Sequence, residues 1–130
     1  MTEQEQQNLQ RVLDGFETLF NRKDFEAAKN YWSEHYIQHS ALVPPGRQGL
    51  FDQVANDLVY ENAVAMAKGD LVMLHGRFSN TGHPRNWVTM DLLRVVDGRM
   101  VEHWDVIQNE ASEAESLGGH PMFGDAFADA

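Results

Sequence analysis

The sequence predicts a single α+β domain in which helices come first and an antiparallel sheet follows. Apolar residues recur at helical spacing through about the first 60 residues, whereas residues 63–108 contain short segments of strand length, and the last two of these are interpreted as alternating strands. Turn-forming segments, Lys68-Gly69-Asp70 and Asp97-Gly98, separate these segments, as in a series of hairpins. Helices followed by such a meander are typical of an α+β fold, whose sheet buries one face under the helices.

The N-terminal part is predicted to contain two helices. Thr2 and Glu5 fit a capping box, and the apolar residues behind them keep helical spacing, so the first helix is expected over about residues 2–21. Asp24 is a suitable cap for a second, shorter helix that reaches Trp32.

An extended segment and a third helix are predicted next. Tyr36-Ile37-Gln38-His39 is expected to be extended, and the following loop contains Pro44-Pro45-Gly46. The third helix is expected over about residues 48–59. The strands of the meander are expected at residues 63–67, 71–79, 86–96 and 99–108.

The last predicted strand carries the main functional signal. Alternation places His103 and Asp105 on one face of it together with apolar residues. One face is then Val101, His103, Asp105 and Ile107, and the other is Glu102, Trp104 and Val106. A buried histidine and aspartate are costly unless they are paired or have a function, so this face is predicted to line a pocket.

Asp105 is the predicted general base of that pocket. A carboxylate that is desolvated in an apolar pocket has a raised pKa and can take a proton from carbon next to a carbonyl. His103 and His75 are predicted to donate hydrogen bonds to the resulting enolate oxygen, and Asp91 to face the same pocket. His39, Tyr36, Arg77 and Trp32 are the predicted substrate-binding residues.

Structural interpretations of these residues remain open at this stage. Asp105 could form an ion pair with Arg77 or with a histidine, and Asp91 could pair with Arg94 or Arg99.

Neither a metal nor a cofactor is expected. His75, His103 and Asp105 are a set of the kind that holds iron or zinc, but ligands two residues apart on one strand are common by chance. The sequence has no phosphate loop, nucleophile elbow or zinc-binding HExxH motif. The absence of cysteine excludes disulfides and thiolate sites.

The composition is typical of a single soluble globular domain. The net charge is −10, and the segment 109–130 holds five acids and no Lys or Arg. Such acidity argues against nucleic acid and anionic membranes as partners. The polar N-terminus does not resemble a signal peptide, so a cytoplasmic location is expected. Residues 1–108 are interpreted as the domain and residues 109–130 as an acidic, weakly ordered extension, within which Pro121-Met122-Phe123 can dock on the body.

From Leu9 to Gln108 the sequence resembles the SnoaL-like family of the nuclear transport factor 2-like superfamily. The segments that carry the resemblance are Tyr36-Ile37-Gln38-His39, Asp91-Leu92-Leu93-Arg94, Asp97-Gly98 and Val101 through Gln108. The ending His120-Pro121-Met122-Phe123 resembles the tail of the same subgroup. Many close relatives carry Asn where this chain has Ser40, which is a departure from the family pattern.

The resemblance implies a cone-shaped α+β barrel, in which a strongly curved antiparallel sheet wraps around N-terminal helices and leaves a deep pocket. Polyketide cyclases of the family catalyse an intramolecular aldol condensation without cofactor or metal, and Asp105 matches their acid/base aspartate. Members are often dimers through the outer sheet face, where Trp104 is expected here. The resemblance therefore implies a lyase or isomerase that acts on a small carbonyl compound.

Two alternatives remain for the function. One is a non-catalytic domain that binds a small molecule, with the polar groups of its pocket satisfied by one another. The other is water activation of the epoxide-hydrolase type, with Asp91 and Asp105 on either side of Arg77.

Overall fold

The computed structural model describes residues 1–129 and has the predicted α+β order. The helices are α1 (Glu3–Phe16), α2 (Phe25–Ala28) and α3 (Gly46–Phe51). The strands are β1 (Trp32–Gln38), β2 (Val59–Lys68), β3 (Leu71–Ser79), β4 (Trp87–Val96) and β5 (Arg99–Asn109).

The beginning of α1 follows the predicted capping box. Thr2 Oγ1 accepts a hydrogen bond from the Glu5 backbone N–H at 3.1 Å, and Glu5 Oε1 accepts one from the Thr2 backbone N–H at 2.7 Å. Beyond Phe16 the chain continues as a π-helical segment, Glu17–Asn21, so the helical stretch ends where the sequence predicts. Asp24 caps α2 by accepting a hydrogen bond from the Ala27 backbone N–H.

Two predicted helices are longer than the observed ones. The second helix ends at Ala28, and Trp32 already begins β1. The third helix ends at Phe51 instead of near Val59, where β2 begins. Asn56 and Asp57 lie between these elements, and their side chains compete with a helical backbone for hydrogen bonds and favour turns.

The five strands form one sheet in the order β1-β5-β4-β3-β2. Neighbouring strands are antiparallel except for β1 and β5, which are parallel. The edge strands β1 and β2 do not pair with each other within residues 1–129, so the sheet is not closed. It has the predicted architecture of a cone, an antiparallel-dominated sheet around N-terminal helices.

Aromatic side chains between the helices and the sheet form the centre of the core. The Phe16 ring centroid lies 5.0 Å from that of Tyr60, 5.1 Å from that of Phe20 and 5.9 Å from that of Trp32. Trp32 is completely buried. The Tyr60 ring lies directly on Gly76, where a side chain of any size would overlap it. Close packing of this kind is typical of protein interiors.

The segment after β5 packs on the outer face of the sheet. Glu110 is buried and accepts two hydrogen bonds from the Arg77 guanidinium, at 2.9 and 2.6 Å. Phe123 is also buried, and its ring centre lies 4.4 Å from the Arg77 guanidinium carbon. The boundary expected after Gln108 stays a prediction, but these contacts attach the C-terminal segment to the domain.

No helix in residues 1–129 combines the length and the apolar character needed to cross a membrane.

Candidate functional site

A cavity of about 240 Å³ lies between the helices and the inner face of the sheet. Most of its wall is apolar, and the ionisable side chains of β4 and β5, Asp91, His103 and Asp105, lie close together in it. The apolar lining consists of Phe16, Phe20, Leu42, Val43, Leu50, Val54, Leu58, Phe78, Trp87 and Ile107. The other lining residues are Trp32, Tyr36, Gln53, Thr81, His83, Thr89, Asp91, His103 and Asp105.

Strand pairing brings two carboxylates into this cavity. Asp91 and Asp105 are direct partners across β4 and β5, as are Leu93 and His103. Alternation along each strand then turns Asp91, His103 and Asp105 to the same side, as predicted. The inner face differs from the prediction in one detail. The pairing shifts by one residue at Val101, so Met100 takes the inner position expected for Val101.

His103 is held from both sides of its ring. Its Nε2 lies 2.7 Å from Asp91 Oδ1, and its Nδ1 lies 2.6 Å from Gln38 Oε1. The second oxygen of Asp91 accepts a hydrogen bond from the Thr89 hydroxyl at 2.9 Å. Both Asp91 and His103 are buried, at 3% and 6% exposure, and such a pair is tolerated only with its hydrogen bonds satisfied.

Asp105 lies beside this pair and is half-buried. Within residues 1–129 it takes part in none of the ion pairs. Burial raises the pKa of the Asp105 carboxyl above its usual value, while the Ser40 hydroxyl and the charge of His103 oppose the rise and Asp91 adds to it. The alternative of a structural ion pair with Arg77 is not supported, because Arg77 pairs with Glu110 on the other face of the sheet.

Tyr36 and Trp32 form the cavity wall next to His103. The Tyr36 ring stacks on the His103 ring at 6.1 Å between centroids. Burial raises the pKa of the Tyr36 phenol well above its usual value, so this side chain remains a hydrogen-bond donor at neutral pH. The Trp32 indole N–H is fully buried next to Tyr36 and, in the part of the chain that the structure describes, meets no acceptor with hydrogen-bonding geometry.

Three predicted site residues lie outside the cavity, so their predicted placement needs correction. His75 and Arg77 point to the outer face of β3, where both contact Phe123. Since Leu74 pairs with Asp91, the inner face of β3 carries the even-numbered residues. His39 also lies on the outer face, with its ring stacked on Trp104 at 4.8 Å and its Nε2 2.8 Å from Glu102 Oε2.

His75, His103 and Asp105 therefore cannot bind one metal ion together, because His75 lies on the outer face of the sheet. Asp91, His103 and Asp105 do place one potential ligand atom each within 4.8 Å of one another. However, Asp91 and His103 bind each other, and the remaining oxygen of Asp91 is held by Thr89. A cation would have to break both hydrogen bonds, so this arrangement fits a hydrogen-bonded network better than an open metal site.

Sequence reasoning missed three residues of the site. Gln38 and Thr89 each lie two residues from a predicted site residue on the same strand face, so alternation relative to Tyr36 and Asp91 could have identified them. His83 lines the cavity from the loop between β3 and β4, with its ring 4.7 Å from that of Trp87. No sequence signal distinguishes His83 from an ordinary loop histidine.

Comparison with protein families gives a match over most of the chain. Residues 10–115 match the model of the SnoaL-like polyketide cyclases. No curated protein matches the chain.

Solved structures show the same fold at low sequence identity. A candidate ketosteroid isomerase of Kribbella flavida superposes with a TM-score of 0.71 at 14% identity, covering 95% of this chain and 97% of that one. A nuclear transport factor 2-like protein of unknown function from Mesorhizobium loti gives 0.67 at 18% identity, covering 84% and 97%. A candidate polyketide cyclase of Bacillus cereus gives 0.64 at 20% identity, covering 78% and 74%.

Proposed function

Because the chain belongs to the SnoaL-like polyketide cyclase family, we propose that it is a cofactor-free lyase or isomerase of the aldol type with Asp105 as acid/base. One observation carries the proposal: a half-buried carboxyl group with a raised pKa lies, without an ion-pair partner among residues 1–129, in a mostly apolar cavity. Such a carboxylate is a stronger base than one in water and can remove a proton next to a carbonyl.

The cavity also contains groups that can stabilise the developing enolate oxygen. The Tyr36 hydroxyl and the Trp32 indole N–H are the donors best suited to it, since the Trp32 N–H is buried and has no hydrogen-bond acceptor within residues 1–129. These residues replace His75 and His103 in the oxyanion role expected from the sequence. His75 lies on the outer face, and both ring nitrogens of His103 are engaged. Donors aimed at a developing oxyanion are a major source of catalysis in acid/base enzymes.

The lining of the cavity favours a small, uncharged and largely apolar substrate. Among residues 1–129 no Lys or Arg lines it, so a carboxylate or phosphate group of a ligand would meet no permanently charged cation. Its volume of about 240 Å³ lies below the roughly 300–1,000 Å³ typical of pockets for drug-sized ligands. A compact cyclic or aromatic ketone fits these limits.

The other functions considered have less support. A binding domain would need the polar groups of its cavity to satisfy one another, but Asp105 has no ion-pair partner within residues 1–129 and Trp32 N–H has no acceptor. Water activation for epoxide hydrolysis would need Arg77 between Asp91 and Asp105, and Arg77 is bound to Glu110 on the outer face.

The proposal can be tested with 1-indanone, a compact ketone, as the probe. In deuterated buffer the protein should catalyse exchange of the hydrogens next to the carbonyl, which NMR detects directly. Asp105→Asn should reduce the exchange rate by about 100-fold or more while binding, followed through quenching of Trp32 and Trp87 fluorescence, is kept. Asp57→Asn, a change outside the cavity, is the control and should have no effect. Full exchange by Asp105→Asn would refute the assignment of the base.

A homodimer through the outer face of the sheet is the proposed assembly. Strand pairing aligns two rows of side chains there, Met66–Met73–Leu92–Trp104 and Val64–His75–Met90–Val106. Several of these apolar side chains are exposed, including Met66 at 53%, Met90 at 44% and Val106 at 72%. Contiguous exposed apolar surface is typical of interfaces, and a second copy would present the same complementary face.

A further inference from the structure

Gln38 lies next to His103, and the proposed function gives this residue no role. The two residues are paired across the parallel strands β1 and β5, and Gln38 lies on the same strand face as Tyr36. Its side-chain oxygen receives two contacts, one from the Ser40 backbone N–H at 3.0 Å and one from His103 Nδ1 at 2.6 Å.

The contact with Ser40 fixes the orientation of the Gln38 amide. A backbone N–H can only donate, so the atom 3.0 Å from Ser40 N must be the amide oxygen. Rotating the amide by 180° would bring two N–H groups together at this distance. The same oxygen faces His103 Nδ1, and it too can only accept. His103 Nδ1 must therefore carry a proton and donate it to Gln38.

The proton on Nδ1 also determines what His103 Nε2 can do. With a proton on Nδ1, a neutral His103 has only a lone pair on Nε2, and this atom lies 2.7 Å from Asp91 Oδ1. A lone pair and an ionised carboxylate would repel each other at that distance. One proton must therefore lie between the two atoms, either on Asp91 or on a positively charged His103. In both cases the pair as a whole is electrically neutral.

We propose that Gln38 is a positioning residue that fixes the proton on His103 Nδ1 and thereby keeps the Asp91–His103 pair neutral beside Asp105. The effect of Gln38 on catalysis rests on the proposed function of Asp105 as the base. Asp105 faces Asp91 directly across the strands. If the pair lost its proton, a second negative charge would lie in the cavity, and two adjacent carboxylates oppose each other's ionisation.

The other ionisable groups around the pair do not change this reasoning. Tyr36 on β1 stacks on His103, and Tyr60 on β2 is near Asp91. Burial raises the pKa of both phenols, so both are uncharged at neutral pH. His83 also lines the cavity, from the loop between β3 and β4, where its ring packs on that of Trp87. Asp105 is the cavity carboxyl group that has no ion-pair partner in residues 1–129, so its charge governs base catalysis in this proposal.

Long-range ¹H–¹⁵N NMR of the wild-type imidazoles tests the proposal without any need for turnover. We expect the His103 signals of a protonated Nδ1 at pH 7, from either the neutral Nδ1–H tautomer or the imidazolium. A neutral His103 with its proton on Nε2 would overturn the proposal. This measurement is independent of Asp105→Asn, so the proton assignment and the proposed function can fail separately.

Two Gln38 variants test the positioning role. Gln38→Met keeps the length of the side chain but removes the acceptor, so His103 should move its proton to Nε2 and leave Asp91 ionised. The negative charge of Asp91 would then raise the pKa of Asp105. The pH at which the exchange rate falls on the acidic side should increase by on the order of one pH unit. Gln38→Glu restores an acceptor and should return the proton to Nδ1. An unchanged His103 spectrum in Gln38→Met would contradict the positioning role.

Discussion

Asp91 and Asp105 face each other directly across β4 and β5, and both side chains enter one cavity. Like charges at directly opposed positions of a sheet are destabilising. The two carboxylates have different surroundings, because Asp91 is bound to His103 and Thr89 while Asp105 has no ion-pair partner in residues 1–129. Different environments for two neighbouring carboxyl groups are the usual basis for different roles in acid/base catalysis.

The first prediction concerns the stability of Asp105→Asn. The pKa of Asp105 is higher in the folded protein than in the unfolded chain, so the ionised form destabilises the fold. The stabilising contribution of the protonated group is complete at pH values below the unfolded pKa and is lost as the pH rises through the folded pKa. Asp105→Asn should therefore raise the melting temperature at pH 7, and the gain should shrink toward pH 3. A melting temperature below that of the wild type at pH 7 would contradict the burial argument.

The second prediction concerns the hydrogen bonds of Asp91. Asp91→Leu leaves His103 and Thr89 buried without their partner, and this should lower the free energy of unfolding by about 3 kcal/mol or more. Asp91→Asn is the matched control, because an amide can still bond to both neighbours and should cost about 1 kcal/mol. Urea denaturation provides the comparison. Equal losses in the two variants would show that the network contributes little.

The third prediction separates the outer face from the cavity. Arg77→Met should lower the free energy of unfolding by about 3 kcal/mol, since Glu110 is buried and loses its charged partner, keeping only the hydrogen bond from Asn86. Exchange of 1-indanone should be retained, because Arg77 lies outside the cavity. Arg85→Met is the control, as the Arg85–Glu115 pair is exposed and should contribute less than about 1 kcal/mol. If the folded Arg77→Met protein no longer catalysed the exchange of 1-indanone, Arg77 would have a role in the reaction after all.

The fourth prediction concerns the assembly. Val106→Lys places a charge in the exposed apolar rows of the outer sheet face and should convert a dimer to a monomer in light scattering coupled to size exclusion. Leu117→Lys, a change at a fully exposed position of the C-terminal segment, should leave the mass unchanged. A wild-type protein that is monomeric at micromolar concentration would contradict the proposed dimer.

Alternation predicted part of the site because the pairing of β4 and β5 is regular from Glu102 to Asn109, so side chains alternate strictly between the two faces there. It placed His103 and Asp105 correctly on the inner face of β5, and the bulge at Val101 lies before both residues, so it does not alter their direction. It also separated Trp104 onto the outer face, where it stacks with His39.

The strand β3 shows why the rest of the site could not be predicted in this way. Its first four residues, Leu71-Val72-Met73-Leu74, are all apolar, so the pattern does not reveal which face is buried. The outer face carries apolar residues as well, because the C-terminal segment covers part of it through Phe123. The prediction that His75 and Arg77 face the cavity is therefore wrong, and both lie on the outer face. His39 lies three residues from Tyr36, an odd separation that places the two side chains on opposite faces of an extended strand.

The role of Asp105 as the base is tested most directly by the rate of 1-indanone exchange as a function of pH, together with the ¹³C titration of the Asp105 carboxyl group. The rate should fall as the pH decreases through the raised pKa of Asp105, with the same midpoint in both measurements. Asp105→Asn should abolish the pH-dependent rate. Two different midpoints, or a pH-dependent rate that survives Asp105→Asn, would show that another group is the base.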